Sequence, residues 1–582
     1  MNTNAKQRLL ARSWTISLGA IVALVISLGL WPQPARADWR SLSGLLPITV
    51  GRVEYIISPD SRTVAFLADQ ETDDVNELYA VPITGTTPIK LNPPLVKDGD
   101  VNSSRFSFTP DGQSVIYLAD QEVDNRVEMF RVPVGGGPAL KLNLPLVAGG
   151  NVSQFKIDAK NGRIVYIADQ ETNEVFELWS ISITGGGLFK LNGALAPGGD
   201  IGIFALDPLS NRVVYSADQE TDGKYELYSV PITGGTPVKL NPPITLAGGG
   251  DSGLFSEFAV NSIIPVVVFI AREAGSLGGR VYMIPTAGGA LTQLSFNLLA
   301  GQRMISFRIS PAGDRVVFTV GTNVGSTLAF KGNLYSALIG GGGAANVTES
   351  ADPLFGADDY RILPNGSQVV YRFQNNAGTT VRLESATMLG VRVPLYVPGA
   401  SDPPLHSFDL SPDSQWVVYQ DSSGGPQQRI HTLPPTGGNA TNFGTGSYEL
   451  LTPDSGRIAY TRIVSIENRS DLFSTQIFGG DERNLSGLNG AGYIGDASVS
   501  TDGKWIVFVA QIDGQYDLRV SDGTAAQPPV TPTPTPSPTP VSSPTPVSSP
   551  TPISSSTPTS SPTPMSSPTP ITYYSHLPVV IR

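Results

Sequence analysis

Cysteine is absent from the 582 residues of the sequence, and histidine occurs three times, as His406, His431 and His576. The lack of cysteine excludes disulfides, thiol catalysis and zinc sites built on thiolates. Charged residues make up 15% of the chain, whereas glycine (62) and proline (49) are abundant. This balance is typical of a β protein with many turns, not of a coiled coil or a helical membrane bundle.

The first 37 residues have the features of a secretory signal peptide. Basic residues precede an uncharged, mostly apolar run at 14–30, and residues 35–37 read A-R-A, a cleavage site of the A-x-A type. An uncleaved anchor is the alternative, but the run is shorter than the roughly 20 residues that a spanning helix needs. We therefore predict an exported protein (periplasmic, cell-surface or secreted) with no stable transmembrane segment after cleavage.

The mature chain is predicted to be acidic. The whole sequence has a formal net charge of −12, and residues 1–37 contain four basic and no acidic residues, so cleavage brings the charge to −16. Nucleic acids and anionic lipids are bound through Lys and Arg side chains. The charge therefore argues against both as partners and favours a protein or an envelope polymer.

A repeat of about 49 residues fills most of the chain. The segment S-P-D-S-R-T-V-A-F begins at Ser58, and related segments begin 41 to 54 residues apart at Thr109, Asp158, Asp207, Asn261, Ser310, Leu363, Ser411, Thr452 and Ser500. Repeats of this length indicate a structural unit that must stack on its neighbours to bury its faces.

Each unit is predicted to contain four short strands. In the first unit they are Val53–Ile57, Thr63–Ala68, Glu77–Ile83 and Pro88–Asn92, each rich in β-branched or aromatic residues and separated by Gly, Pro, Asn or Asp. Four strands in 40 to 50 residues predict an all-β propeller of about ten blades. A single large ring is favoured, two smaller rings are the alternative, and a linear solenoid would require polar caps that the sequence lacks.

A strand from the N-terminus is expected to close the ring. The last unit ends near Asp522 without a fourth strand, while the segment Leu45–Val50 precedes the first unit and resembles its fourth strand, Pro88–Asn92. We therefore predict that Leu45–Val50 completes the last blade.

The residues of the repeat resemble a known family. The run S-P-D-S-R-T-V-A-F, the loop D-Q-E-T, and then E-L-Y, T-G and K-L-N are similar to the TolB-like, or WD40-like PD40, repeat. The resemblance covers about residues 50–523 and implies an exported β-propeller with a binding role and no chemistry of its own. The α/β domain that precedes the propeller in TolB has no counterpart in this sequence.

Four segments of different composition are predicted. Residues 1–37 are the signal peptide and residues 38–526 the propeller. Residues 527–570 consist of Pro, Thr and Ser repeats, which favour an extended, disordered stalk. Residues 571–582 form a short apolar tail that we interpret as a sorting or anchoring signal, with a frayed end as the alternative.

Acidic loops in the first four units are the candidate site. Each reads D-x-E-x-[DN]-x-x-x-E, with oxygen-bearing side chains at positions 1, 3, 5 and 9, the spacing that calcium loops use. The sixteen residues are Asp69, Glu71, Asp73, Glu77, Asp120, Glu122, Asp124, Glu128, Asp169, Glu171, Asn173, Glu177, Asp218, Glu220, Asp222 and Glu226. Calcium is the predicted cofactor if these loops hold a metal, and an acidic rim without metal is the alternative.

No set of residues indicates a catalytic site. A serine or cysteine nucleophile needs a general base within reach, and the few histidines lack the sequence context of known triads. We therefore predict a non-enzymatic binding or scaffold propeller that mediates protein or envelope interactions. The alternative is an extracytoplasmic hydrolase or lyase that uses carboxylates on a propeller face, since paired carboxylates suffice for acid–base chemistry.

Overall fold

The computed structural model describes residues 35–36, 39–46, 53–72, 74–241, 257–271, 278–322, 332–348, 355–375, 381–397, 404–422, 428–464, 469–488 and 492–522. The stalk and the tail lie outside these residues, as does the signal peptide apart from Ala35 and Arg36. The named elements in this part of the chain are all β-strands. None of the described residues forms a helix that is long and apolar enough to cross a membrane.

The strands group into units in chain order. Two strands precede the first unit, β1 (Ala35–Arg36) and β2 (Trp39–Leu46). Units 1 to 5 contain β3 (Glu54–Ile57), β4 (Thr63–Ala68), β5 (Glu77–Pro82), β6 (Ile89–Lys90); β7 (Val101–Phe108), β8 (Ser114–Ala119), β9 (Glu128–Pro133), β10 (Leu140–Lys141); β11 (Val152–Asp158), β12 (Arg163–Ala168), β13 (Glu177–Ser182), β14 (Phe189–Lys190); β15 (Ile201–Asp207), β16 (Arg212–Ala217), β17 (Glu226–Pro231), β18 (Val238–Lys239); and β19 (Phe258–Val260), β20 (Val266–Ala271), β21 (Arg280–Pro285), β22 (Thr292–Gln293).

The later units follow the same order. They contain β23 (Gln302–Ile309), β24 (Arg315–Thr322), β25 (Asn333–Leu338), β26 (Ala344–Asn346); β27 (Phe355–Ile362), β28 (Gln368–Asn375), β29 (Val381–Thr387), β30 (Arg392–Tyr396); β31 (Leu405–Leu410), β32 (Val417–Asp421), β33 (Arg429–Leu433), β34 (Thr441–Thr445); β35 (Ser447–Leu451), β36 (Arg457–Val464), β37 (Arg469–Gln476), β38 (Arg483–Asn484); and β39 (Gly492–Val499), β40 (Trp505–Ile512), β41 (Gln515–Asp522).

The predicted all-β blade architecture is confirmed. The first eight units are separate four-stranded antiparallel meanders, and the strands of the last two join through the parallel pair β37–β39 into one nine-stranded sheet. β1 also belongs to this sheet, because Ala35–Arg36 pairs in parallel with Arg483–Asn484.

Apolar clusters hold each unit to the next. The second and third strands of a unit are almost wholly buried, and their two faces contribute to two different clusters. In β4, for example, Val64 and Phe66 pack toward the last unit, whereas Ala65 and Leu67 pack toward unit 2. The clusters run through all units in chain order and return from the last unit to the first. This circuit buries both faces of every sheet, which a single meander could not do alone.

Glycine-rich hairpins fit against the preceding unit. Gly288 has a φ of +85°, and a Cβ added there would lie 2.9 Å from Cγ1 of Val238 in the fourth strand of unit 4. Gly234 lies in the same way against Phe189, with a φ of +84°. Glycine is favoured at these turns because it adopts positive φ freely and leaves room for the neighbouring strand.

The closing strand exists, but its predicted bounds are wrong. β2 is antiparallel to β41 and spans Trp39–Leu46, so it begins six residues before the predicted segment, whose last four residues lie outside the described part of the chain. Ser43 Oγ accepts the backbone N–H of Leu518 at 2.9 Å. Asn92 Oδ1 accepts that of Leu78 at 2.8 Å in unit 1. Ser41-Leu42-Ser43 is therefore the structural counterpart of Lys90-Leu91-Asn92.

Candidate functional site

The four acidic loops connect the second and third strands of units 1 to 4. Position 1 follows the last residue of the second strand, and position 9 is the first residue of the third strand. Position 6 adopts a left-handed conformation in every copy, at Asp74 (φ +61°), Asn125 (+59°), Glu174 (+63°) and Gly223 (+72°). The sharp turn therefore forms in all four loops, although the sequence suggests it through glycine in the fourth copy alone. Of the sixteen candidate residues, Asp73 lies outside the described part of the chain.

The aspartates at position 1 bind backbone amides. Asp218 Oδ1 accepts the N–H of Asp200 at 2.5 Å, and its Oδ2 accepts the N–H of Gly223 at 2.9 Å. Asp120 accepts the N–H groups of Asp100 and Asn125 in the same way, at 2.6 and 2.9 Å. Asp218 is buried and Asp120 is half-buried, and both carboxylates fix the shape of their loops.

The glutamates at positions 3 and 9 share a lysine from the fourth strand. Lys239 Nζ lies 2.9 Å from Glu220 Oε2 and 2.6 Å from Glu226 Oε2. Burial alone would lower the pKa of Lys239, but its hydrogen bonds to Glu226 and Glu220 raise it above the ordinary value. The same triad occurs in the other three copies, formed by Lys90 with Glu71 and Glu77, Lys141 with Glu122 and Glu128, and Lys190 with Glu171 and Glu177.

Sequence reasoning missed a second set of side chains that join neighbouring loops. Asp200 donates its own N–H to Asp218 in unit 4, and its Oδ1 accepts the N–H of Phe176 in unit 3 at 2.8 Å. Asp100 and Asn151 make the equivalent bridges between earlier units. The signal for them is present in the sequence as G-D-V, G-N-V and G-D-I at the start of the first strands of units 2 to 4.

Each of the four loops presents an exposed glutamate at position 3. The side chains of Glu71, Glu122, Glu171 and Glu220 are 59, 45, 57 and 53% exposed, although each contacts a lysine. At position 5, Asp124, Asn173 and Asp222 are exposed as well. The loops thus form a row of similar acidic surfaces on four successive units.

Calcium at these loops stays a prediction. Within the described ranges, no group of three or more Asp, Glu, His or Cys side chains has the geometry of a metal site. The lysine ammonium lies between the two glutamates of each loop, where a calcium ion would have to bind them together. A metal would therefore have to displace this ammonium.

We expect lysine to compete with calcium for the fourth loop. Lys239→Met leaves Glu220 and Glu226 without this cation, so millimolar calcium should raise the melting temperature of the variant more than that of the parent, by mass action on the folded state. Differential scanning calorimetry with and without calcium measures this, with magnesium at equal ionic strength as the control. Equal shifts in the two proteins, or none, would reject calcium at this loop.

A second polar region lies along the first strands of the units, at the junction of the last and first units. A cavity of about 430 Å³ lies between β39, β3 and β7, with Glu54, Tyr55, Phe106 and Asp496 among its lining residues. Beside it, burial and the charge of Asp496 raise the pKa of Glu449 to about 7, although a hydrogen bond from Thr461 acts in the opposite direction.

Comparisons with known proteins give matches among solved structures alone. No family model matches the sequence, and no curated protein does. A putative TolB from Agrobacterium tumefaciens is 17% identical, with a TM-score of 0.26, covering 42% of this chain and 80% of its own. A eukaryotic initiation factor is 12% identical, with a TM-score of 0.43, covering 71% and 91%. A structure from work on two prolyl endopeptidases is 12% identical, with a TM-score of 0.33, covering 63% and 55%.

The sheets themselves decide the fold. Repeated four-stranded antiparallel meanders, packed face to face in chain order and joined from last to first, are the blades that the TolB-like repeats predict. The described chain therefore has the fold of a β-propeller.

Proposed function

We propose that the protein is a non-enzymatic binding propeller that acts outside the cytoplasmic membrane and contacts its partner through the four acidic loops. The observation that carries this proposal is the repetition of one exposed glutamate, held in place by a lysine, on four successive units. The fixed side chains lose little conformational freedom on binding, which lowers the cost of association.

A repeated surface suits an extended partner. Units 1 to 4 place the same chemical groups one blade apart, so a protein segment or polymer with regularly spaced cationic groups can contact several loops at once. Each added contact acts as an intramolecular event and increases the total affinity. Electrostatic complementarity also speeds the encounter of a basic partner with an acidic surface.

Capture from the native cell envelope tests this proposal. The mature chain is used as bait beside a variant with Glu71→Gln, Glu122→Gln, Glu171→Gln and Glu220→Gln, which removes four charges and keeps hydrogen-bonding side chains. We expect the variant to capture much less of the partner and to lose the salt dependence of binding.

A matched control changes the same charge on the opposite side of the units. Asp60, Asp413, Asp454 and Asp502 are exposed and lie in the turns between first and second strands. Replacing them with Asn should preserve the turn, because Asn365 occupies the equivalent turn of unit 7 and its side-chain oxygen accepts the backbone N–H of Ser367. If the control loses the partner as much as the loop variant does, the loops are not the contact surface.

Two carboxylates in the first strands of the last two units favour a second candidate, an extracytoplasmic hydrolase or lyase. Glu449, with its pKa near 7, and Asp496 come from different units and from different positions of the repeat, as an acid and a base in one site would. Turnover of an envelope polysaccharide or peptide by the mature protein, lost in Glu449→Gln, would support this candidate over the binding role.

A further inference from the structure

An Asn-Gly pair lies in the turn between the first two strands of unit 3. Asn161 and Gly162 are half-buried between β11 and β12, and Gly162 has a φ of +59°. The backbone nitrogen of a glycine can attack the side-chain amide carbon of a preceding asparagine, because glycine has no side chain to shield that nitrogen. The hydrogen bonds of these two groups therefore decide whether such a pair reacts in the folded protein.

The turn of unit 3 differs from that of most units. In units 1, 2 and 6 to 10, the fourth residue of the turn has positive φ and donates its N–H to the carbonyl oxygen of the first, as Ser61 does to Ser58 at 2.9 Å. Unit 3 has Asp158 at the first position, and its Oδ1 accepts the N–H of Asn161 at 3.2 Å instead. Positive φ then moves to the fifth residue, Gly162, whose N–H donates no hydrogen bond within the described part of the chain.

The side chain of Asn161 is held through its amino group. Asn161 Nδ2 donates to Asp158 Oδ2 at 2.7 Å, which keeps the side chain against its own turn. Among the described residues, no donor binds Asn161 Oδ1. The carbonyl group of Asn161 and the nitrogen of Gly162 thus both lack the hydrogen bonds that would hold them back from reaction.

Other Asn-Gly pairs in the described chain are protected. The pair at 365–366 lies in the turn of unit 7, and its glycine N–H donates to the carbonyl oxygen of Leu363 at 2.7 Å. Asn192, which precedes another glycine, is 8% exposed, and its Oδ1 accepts the N–H of Leu178 at 2.9 Å. A fourth pair, at 489–490, lies outside the described residues. The sequence ranks these pairs alike, whereas the hydrogen bonds distinguish the pair in unit 3.

We propose that Asn161 is a site of spontaneous deamidation, at which water converts the asparagine to aspartate and isoaspartate in the folded protein. The nitrogen of Gly162 forms a bond to Cγ of Asn161, the Cγ–Nδ2 bond breaks, and the amide group leaves as ammonia with the proton of the attacking nitrogen. Water then opens the succinimide ring at either of its two carbonyl groups. The reaction consumes one water and releases one ammonia, and it needs no oxidant or cofactor.

Both products change the charge of the turn. Each places a second carboxylate beside Asp158 and removes the donor that Nδ2 supplied, so repulsion replaces a hydrogen bond. Isoaspartate also adds a methylene group to the main chain of the hairpin that joins β11 and β12. We therefore expect deamidated protein to melt at a lower temperature. The turn lies on the side of the units opposite the acidic loops, so this inference is independent of the proposed partner surface.

Peptide mapping by mass spectrometry, after incubation of the mature protein at mildly alkaline pH, tests the proposal. We expect Asn161 to deamidate at least about fivefold faster than Asn365, because the nitrogen of Gly366 must first lose its hydrogen bond. In denaturant the two pairs should react at similar rates, since the hydrogen bonds that distinguish them are lost. The comparison thus separates the effect of the fold from that of the sequence.

Two substitutions in the turn are matched controls, both taken from unit 4. Ser210 occupies the position of Asn161 there, and Asn211, with a φ of +56°, occupies that of Gly162. Asn161→Ser should keep the turn, abolish the reaction and prevent the fall in melting temperature on ageing. Gly162→Asn should keep the turn and slow the reaction, because a side chain then shields the nitrogen. Melting curves of fresh protein show that both variants are folded.

Three results would overturn this inference. The first is a rate at Asn161 no higher than that at Asn365 in the folded protein. The second is a folded Gly162→Asn variant that deamidates at Asn161 as fast as the parent. The third is the same loss of melting temperature on ageing in Asn161→Ser as in the parent, which would place the damage at another residue.

Discussion

Removal of residues 39–46 from the mature protein is expected to lower its melting temperature strongly and to cause aggregation. β2 supplies the fourth strand of the last unit, and its loss leaves β41 as an unpaired edge. Exposed edges pair readily with other chains. Leu42 and Leu46, each 1% exposed, also belong to the cluster between the last and first units, so the deletion removes apolar packing where the circuit of units closes.

Polar contacts of β2 add to this effect. Ser41 Oγ donates to Asp517 Oδ1 at 2.6 Å, and Asp517 also forms a buried ion pair with Arg519 at 2.7 Å. The guanidinium of Arg519 lies 3.7 Å from the ring centroid of Trp39. Without β2, a buried carboxylate loses its hydrogen bond and a cation loses its aromatic cover, both of which destabilise the folded state.

A pair of leucines in the same strand provides a matched test. Leu42 is buried, whereas Leu45 is 59% exposed. We expect Leu42→Ala to cost about 2–5 kcal/mol of the free energy of unfolding and Leu45→Ala to cost less than about 0.5 kcal/mol. Circular dichroism melting and limited proteolysis measure both. If the deletion and Leu42→Ala melt as the parent does, β2 does not close the ring.

The repeat predicted the fold because its strands and turns are local features. Residues Thr63–Ala68 were predicted as a strand, and the structure places β4 at the same residues. An aromatic residue recurs in the third strand of units 1 to 4, and these residues, Tyr79, Phe130, Trp179 and Tyr228, are 4, 1, 3 and 2% exposed. Alternation of apolar residues encodes this burial directly.

Pairing between distant segments was harder to predict. The closing strand is positioned by Ser41-Leu42-Ser43, which takes the place of Lys90-Leu91-Asn92. In sequence, the leucine is the one residue that is identical in the two segments. What they have in common is a side-chain oxygen, on Ser43 or Asn92, that accepts a backbone N–H of the third strand. Leu45–Val50 was predicted instead because it resembles Pro88–Asn92, and that resemblance does not specify the hydrogen bond.

The acidic loops show the same limit. Their spacing pointed to oxygen ligands around one cation, and the positions of their aspartates and glutamates were readable from the sequence. The cation that the structure places between Glu220 and Glu226 is Lys239, which is 13 residues beyond Glu226 and was noted as part of K-L-N alone. The pairing register of β17 with β18 brings Lys239 next to the two glutamates. A sequence motif does not specify that register.

Asp218→Ala is expected to destabilise the protein by about 2–4 kcal/mol, since it leaves two backbone N–H groups without their acceptor. Those groups belong to Asp200 and Gly223, so the loop of unit 4 and the bridge to unit 3 loosen together. Asp222→Ala is the control, because Asp222 is exposed in the same loop and its change should cost less than about 0.5 kcal/mol.

Asp218→Asn separates hydrogen bonding from charge. Its amide oxygen can accept one of the two N–H groups, so it should recover part of the stability that Asp218→Ala loses. Hydrogen exchange of the Asp200 and Gly223 amides reports on the two bonds individually, and thermal melting reports on the whole ring. Exchange should be fast at both amides in Asp218→Ala and at one in Asp218→Asn. Unchanged exchange in Asp218→Ala would show that the carboxylate does not hold these amides, and would leave it free for a metal.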